Sequence, residues 1–166
     1  MSKTYPSADQ LREHFSYDPE TGIFTRRTGT PKYPVGSKAG CLGSYGYWLL
    51  SFKKERYLAH RVAFLMMTGE LPPADIDHIN GDRLDNRWAN LRAVTRGENL
   101  QNLRGPRKNN RAGLLGVHQV NGPNGKWRAR VNFKGRTYEA GCHATPEIAH
   151  QAYLEKKRSV HAFCTI

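Results

Sequence analysis

Apolar positions in this chain come in short clusters separated by polar turns, and no stretch keeps one period for long. Ser7, with Gln10 three residues on, forms a capping-box pair that predicts a short helix through Leu11 and Phe15. Asp18-Pro19-Glu20-Thr21-Gly22 predicts a turn, and Ile23-Phe24-Thr25 after it a strand. Residues 28–44 are rich in Gly, Pro and Ser and read as loop. Residues 45–52 and 56–59 read as two strands joined by a Lys53-Lys54-Glu55 turn. From His60 to Thr68 the apolar positions Val62, Leu65 and Met66 take helical spacing, with Gly69 as the expected stop.

Beyond Pro72-Pro73 the pattern predicts strand, long polar loop, strand, helix. Ile76-Asp77-His78-Ile79 is the first strand, residues 91–94 the second, and Thr95 with Glu98 can cap the helix. A basic linker follows, holding Arg104, Arg107, Lys108 and Arg111. Residues 115–120, 126–133 and 136–140 then read as three short strands, with turns at 121–125 and at Lys134-Gly135. Thr145-Pro146-Glu147 predicts an N-cap with Pro at the first helical position, opening a helix whose apolar face holds Ile148, Ala149, Ala152 and Tyr153.

Charge changes this picture most. The 166 residues carry a net +12, which points to a polyanionic partner such as nucleic acid. Residues 1–103 hold 14 Lys+Arg against 11 Asp+Glu, net +3, and residues 104–166 hold 12 against 3, net +9. The last third therefore carries most of the field, as a binding surface would. No basic amphipathic helix of membrane-binding length is present, so no membrane partner is expected. Cys41, Cys142 and Cys164 are odd in number and form no CxxC pair, against both a disulfide framework and a structural zinc. With no apolar run of spanning length and no signal-peptide core in residues 1–10, the expected setting is cytoplasmic, with access to DNA.

The constellation with chemistry in it is Asp77-His78, then Asn90 twelve residues later, then Asn99 nine beyond. Phosphodiester hydrolysis needs a water deprotonated, a leaving oxygen stabilised and a phosphate held in line. A neutral imidazole does the first. A hard cation on oxygen ligands does the second and helps the third, and Asp77 and the Asn99 amide oxygen are suitable ligands. Neighbours on one strand point to opposite faces, so convergence of Asp77 and His78 requires a local twist or bulge.

Residues 57–103 resemble the HNH endonuclease family, in its phage and intron homing-type subset. The resemblance rests on His60-Arg61, Ile76-Asp77-His78-Ile79-Asn80-Gly81-Asp82, Asn86-Arg87, Asn90-Leu91-Arg92, Glu98-Asn99 and Asn102. It implies a ββα-metal finger in which His78 is the general base, Asp77 and Asn99 hold the metal, and Asn90 braces the loop. Asn86 is the second candidate for the brace. It also implies products with a 5′-phosphate and a 3′-hydroxyl. Asn at the last position, where many relatives have His, favours one Mg²⁺ or Mn²⁺. His60 either orients the site or is a satisfied histidine at a helix start. Arg83, Arg87 and Arg92 read equally as phosphate contacts or as solvated loop charges.

Residues 113–163 resemble another family, the plant-type APETALA (ethylene-response-factor) DNA-binding domain. The resemblance rests on Gly116-Val117, Lys126-Trp127-Arg128-Ala129-Arg130-Val131, Gly135-Arg136, Ala140-Gly141, Thr145-Pro146-Glu147-Ile148-Ala149 and Ala152-Tyr153. It implies a three-stranded sheet laid in the major groove and backed by one helix. The alternation turns Trp127, Ala129 and Val131 toward the helix and Arg128, Arg130 and Asn132 outward, with His118, Thr137 and Glu139 on the same outer face. Leu115 and Val120 stand where the plant proteins usually place base-reading arginines, so the plant target sequence does not carry over.

The expectation is an α+β protein in two modules: an HNH nuclease domain over residues 1–103, with its finger near 75–103, and a three-strand-plus-helix domain over 113–166. Residues 104–112 link them. The expected function is metal-dependent endonuclease on double-stranded DNA, targeted by the C-terminal domain, with no small-molecule substrate. The alternatives are a DNA-binding regulator that keeps the finger as a scaffold, and an RNA-binding protein. The phage setting rests on the resemblance alone.

Overall fold

The Ser7 hydroxyl accepts from the Gln10 N–H and the Gln10 side chain accepts from the Ser7 N–H, and this capping box starts α1 (Ala8–His14). The computed structural model describes residues 4–102, 105–106, 110, 112–120, 122 and 125–161. They divide into two units, Met1–Arg96 and Gly97–Ile166. The division falls after the first residue of helix 96–101, ahead of the basic linker expected from composition.

In the first unit, α1 is shorter than its sequence suggested. Phe15 turns extended and opens β1 (Phe15–Tyr17), which pairs antiparallel with β2 (Phe24–Arg26). The Asp18 carbonyl accepts from the Gly22 N–H at 2.8 Å and closes the turn between them. β3 (Cys41–Leu42), β4 (Trp48–Phe52) and β5 (Glu55–Leu58) form an antiparallel sheet. The two-residue β3 lies in the stretch that reads as loop; both its residues are exposed, so no apolar alternation marks it. Lys53 and Lys54, at φ 48° and 67°, make the two-residue turn between β4 and β5. That left-handed pair twists with the strands but favours Gly or Asn over lysine.

Helix α2 (Ala59–Thr68) buries Val62, Ala63, Leu65 and Met66 and stops at Gly69, whose φ of 82° suits a residue without Cβ. Then come β6 (Asp75–His78), a 3-10 turn (Trp88–Asn90), β7 (Leu91–Val94) and α3 (Arg96–Gln101). β6 and β7 pair antiparallel, and Ile76 and Leu91 join Leu11, Phe24, Leu50 and Val62 in one core. The order strand, polar loop, strand, helix therefore follows the sequence pattern. Truncating a fully buried leucine such as Leu50 to Ala costs about 2–5 kcal/mol.

The second unit holds α3 from Gly97 on, then β8 (Val117–Gln119), β9 (Trp127–Phe133), β10 (Arg136–His143) and α4 (Pro146–Val160), with sheet order β10-β9-β8, all antiparallel. Thr145 caps α4 by accepting from the Ile148 N–H, with Pro146 in the first turn. Ala129, Val131, Ala149 and Tyr153 close the core. A Cβ on Gly116 would sit 2.0 Å from the Tyr153 ring, so only glycine lets the chain pass there. β10 runs past Ala140 to His143 through an irregularity between Glu139 and Cys142, where Gly141 has φ 96°.

Candidate active site

The β6–β7 register decides what Asp77 and His78 can do. Asp77 lies opposite Arg92 and His78 opposite Leu91, with no bulge in the ladder. The bulge that could turn both side chains one way is absent. Directly paired residues share a face of the sheet and successive residues alternate, so Asp77 and His78 look to opposite sides.

On one side, Arg92 donates to Asp77 Oδ2 from Nε at 3.0 Å and from Nη2 at 2.6 Å. On the other, His78 is buried among rings: its centroid lies 5.0 Å from that of His60, edge-on, and 6.1 Å from that of Tyr47. Burial lowers His78 below the usual imidazole value, while Asn86, Asp77, Asp82 and Asp85 pull the other way. The ring is therefore neutral at pH 7 and able to take a proton. Its Nε2 stands 3.5 Å from Asn86 Oδ1, at the outer limit of a hydrogen bond. Asn86 Nδ2 donates to the Leu84 carbonyl at 3.1 Å, which fixes Oδ1 toward the ring.

His60 opens α2 beside this ring, buried, with Nδ1 making no hydrogen bond to any described residue. Burial first, then the neighbouring His78 and Arg61, push it down to about 3. It is a neutral wall of the His78 pocket, so the reading of it as a satisfied histidine does not hold for Nδ1.

The loop between the strands is tied internally. Asn90 Oδ1 accepts from the Asn80 N–H at 2.9 Å, and Asn90 Nδ2 donates to the Asp85 carbonyl at 2.8 Å. Arg87 grips Asp85 through Nε at 2.8 Å and Nη2 at 2.6 Å, holding that carboxyl at about 2. Residues before 57 hold the loop from outside. Tyr17 Oη donates to the Asn86 carbonyl at 2.7 Å, and the Trp88 N–H to the Pro19 carbonyl at 2.9 Å. A Cβ on Gly22 would stand 2.4 Å from the Asn86 backbone, so the turn packs directly on the loop. Arg83 donates to the Tyr45 carbonyl at 3.1 Å and lies 4.9 Å over the Tyr47 ring. Arg83, Arg87 and Arg92 thus each have a partner within the chain.

Sequence reasoning missed Tyr17 and Tyr47 and did not foresee the partner of Asp77. Arg92 was within reach of it, because pairing His78 with Leu91 sets Asp77 opposite Arg92. Asn99 sits half-buried on α3, in the second unit.

The outer face of the second unit shows the expected alternation. Ala129 and Val131 are buried while Arg130 and Asn132 are exposed, with Arg128 and His118 half-exposed. Arg128 pairs with His118 on one side and Cys142 on the other, Arg130 with Glu139, and Asn132 with Thr137, whose Oγ1 donates to Asn132 Oδ1 at 2.8 Å. Arg107, Lys108, Arg111 and Cys164 lie outside the described residues.

The family described as HNH endonuclease matches residues 57–101 of this chain. No curated protein and no solved structure matches it. The matched segment covers β5 through α3 and relates this part of the chain to nucleases, whose substrate is nucleic acid. Among the described residues no helix is long and apolar enough to cross a membrane, and no three His, Cys, Asp or Glu side chains cluster as metal ligands.

The donor set suits a hard cation. A small dication of the Mg²⁺ class is bound by one or two carboxylates and takes its other oxygens from water and substrate phosphate. Asp77 is such a carboxylate, buried near the end of β6, with Arg92 on its Oδ2.

Proposed function

We propose that this chain is an endonuclease that hydrolyses phosphodiester bonds of double-stranded DNA with a divalent metal, Mg²⁺ or Mn²⁺, and that its C-terminal sheet holds the duplex. The observation that carries the reading is His78: a buried, neutral imidazole beside Asp77 within the segment matched by the HNH family. In this mechanism His78 is the general base that accepts the proton of the attacking water. Asn86 faces Nε2, and His60 and Tyr47 exclude bulk water from the ring's flanks. Asn90 keeps the 79–90 loop in shape through its two hydrogen bonds. Asp77 would hold the cation, which requires Arg92 to release Oδ2 and the strand end to twist so that cation and base meet one phosphate, and the resemblance gives the second donor position to Asn99. When bound, a divalent cation supplies the positive charge that stabilises the leaving oxygen. Arg128, Arg130 and Asn132 offer outward donors for phosphates and base edges, and the basic linker residues Arg107, Lys108 and Arg111 add charge.

A second reading is favoured by one contact. Arg92 already occupies Asp77 Oδ2 with two hydrogen bonds, as befits a finger kept as a scaffold in a DNA-binding regulator. Supercoiled plasmid incubated with the protein in Mg²⁺, Mn²⁺ or EDTA separates the two. The nuclease gives metal-dependent nicking or linearisation that His78→Ala abolishes with DNA affinity nearly unchanged. The regulator binds and never cuts.

A further inference from the structure

The first unit holds a basic hollow outside the finger. His14 at the end of α1, Arg26 at the end of β2, Thr28 and Thr30 in the loop after it, and Ser51 and Lys53 at the β4 turn line it. Phe15, Phe52 and Tyr33 supply its apolar surface, and no carboxylate lines it.

Arg26 and Lys53 form no ion pair with any described residue. Arg26 makes no side-chain hydrogen bond or ion pair to any described residue, and its Nε is buried without an acceptor. The guanidinium lies 4.8 Å over the Tyr33 ring, which orients the fork and satisfies none of its N–H groups. Nε is closed off, so it is the Nη groups, which are not among the buried unpartnered atoms, that a ligand oxygen can reach. Lys53 is held at φ 48°, where Gly or Asn fits more easily, and among the described residues its one partner is the Phe52 ring 5.3 Å away. His14 donates Nδ1–H to the Gln10 carbonyl at 3.1 Å, leaving Nε2 as its other polar atom.

A forked guanidinium, an ammonium and hydroxyls around one hollow without an acid are the complement of a phosphate. We propose that this hollow seats a phosphate group of the DNA backbone, with the adjoining deoxyribose on the Phe15–Phe52 floor. The site lies outside the nuclease chemistry and rests on the functional reading only in naming DNA as the source of the phosphate. It gives residues 1–56 a part in holding DNA beyond their support of the finger.

The test is duplex binding by the full chain, read by fluorescence anisotropy in EDTA across a salt series. No cutting is needed, so a chain that proves not to be a nuclease still reports on the hollow. Arg26→Gln and Lys53→Asn, the second suited to a left-handed turn, are compared with Lys54→Gln. That control removes one charge next door, from a residue that does not line the hollow. Seating one phosphate predicts a salt slope shallower by about 0.9 and affinity lower by roughly tenfold in both hollow variants, with Arg26→Lys in between. Lys54→Gln stays within about twofold of wild type. Thermal melts establish that the variants are folded; should Arg26→Gln fail to fold, the exposed Lys53→Asn decides. Equal binding by the hollow variants and the control overturns the proposal. So does a hollow that takes inorganic phosphate while the variants hold DNA as wild type does, which would assign it to a free phosphate.

Discussion

Arg92 and Asp77 face each other across the β6–β7 ladder, and both donating nitrogens of Arg92 reach the same carboxylate oxygen, Oδ2. The arginine offsets the charge of a buried carboxylate and competes with a cation for it. Arg92→Gln is therefore expected to lower stability in EDTA by about 1–3 kcal/mol and to tighten Mn²⁺ binding severalfold. Urea denaturation and Mn²⁺ titration measure the two. Unchanged metal affinity alongside lost stability would make Arg92 a structural partner alone.

His60 gives a pH dependence with a definite sign. Its folded value of about 3 lies below the ordinary 6.5. Between those values the unfolded chain binds a proton that the folded chain does not, so stability is full above 6.5 and is lost as pH falls toward 3. The loss is about 1.4 kcal/mol per pH unit for one such group. His60→Gln is expected to flatten the stability curve between pH 6 and about 4 by up to that slope. Urea midpoints at a series of pH values test it, and a slope equal to wild type would remove His60 as the source.

Asn90 joins Asn80 to Asp85 through one carboxamide. Asn90→Ala leaves an amide and a carbonyl unpartnered and should cost about 1–3 kcal/mol. The expected signature is faster hydrogen exchange at the Asn80 N–H with little change at Val62 or Leu65 in α2. Uniform acceleration across the first unit would mean that the loop and the core open together.

Glu139 lies opposite Arg130 on the outer face of β9 and β10, an acid on a surface read as meeting phosphates. Glu139→Gln should therefore strengthen duplex binding, and Arg130→Ala should weaken it by roughly tenfold, with the salt slope shallower by about 0.9. Anisotropy in EDTA measures both. An Arg130→Ala variant that binds as wild type does would move the interface off this face.

The finger and the C-terminal sheet were legible because their signals are local. Alternation from Trp127 to Phe133 assigns the faces of β9, and Asp77-His78 with Asn90 at fixed spacing marks the strands and their loop. β3 was hidden because two exposed residues bury too little to leave a period. Tyr17 and the Arg26 hollow were hidden because their meaning lies in contacts across long stretches of chain, 69 residues for Tyr17 to Asn86. The partner of Asp77 stood between these cases, since register alone would have named it.

The segment that carries the family likeness is not one that could be lifted out and grafted elsewhere. Ile76 and Leu91 finish a core whose other half is Leu11, Phe24 and Leu50, and Tyr17, Pro19 and Gly22 grip the loop from upstream. Excised, residues 57–101 would bare that apolar surface and lose those grips, so the matched motif inherits its rigidity from a stretch of sequence that bears none of its signature.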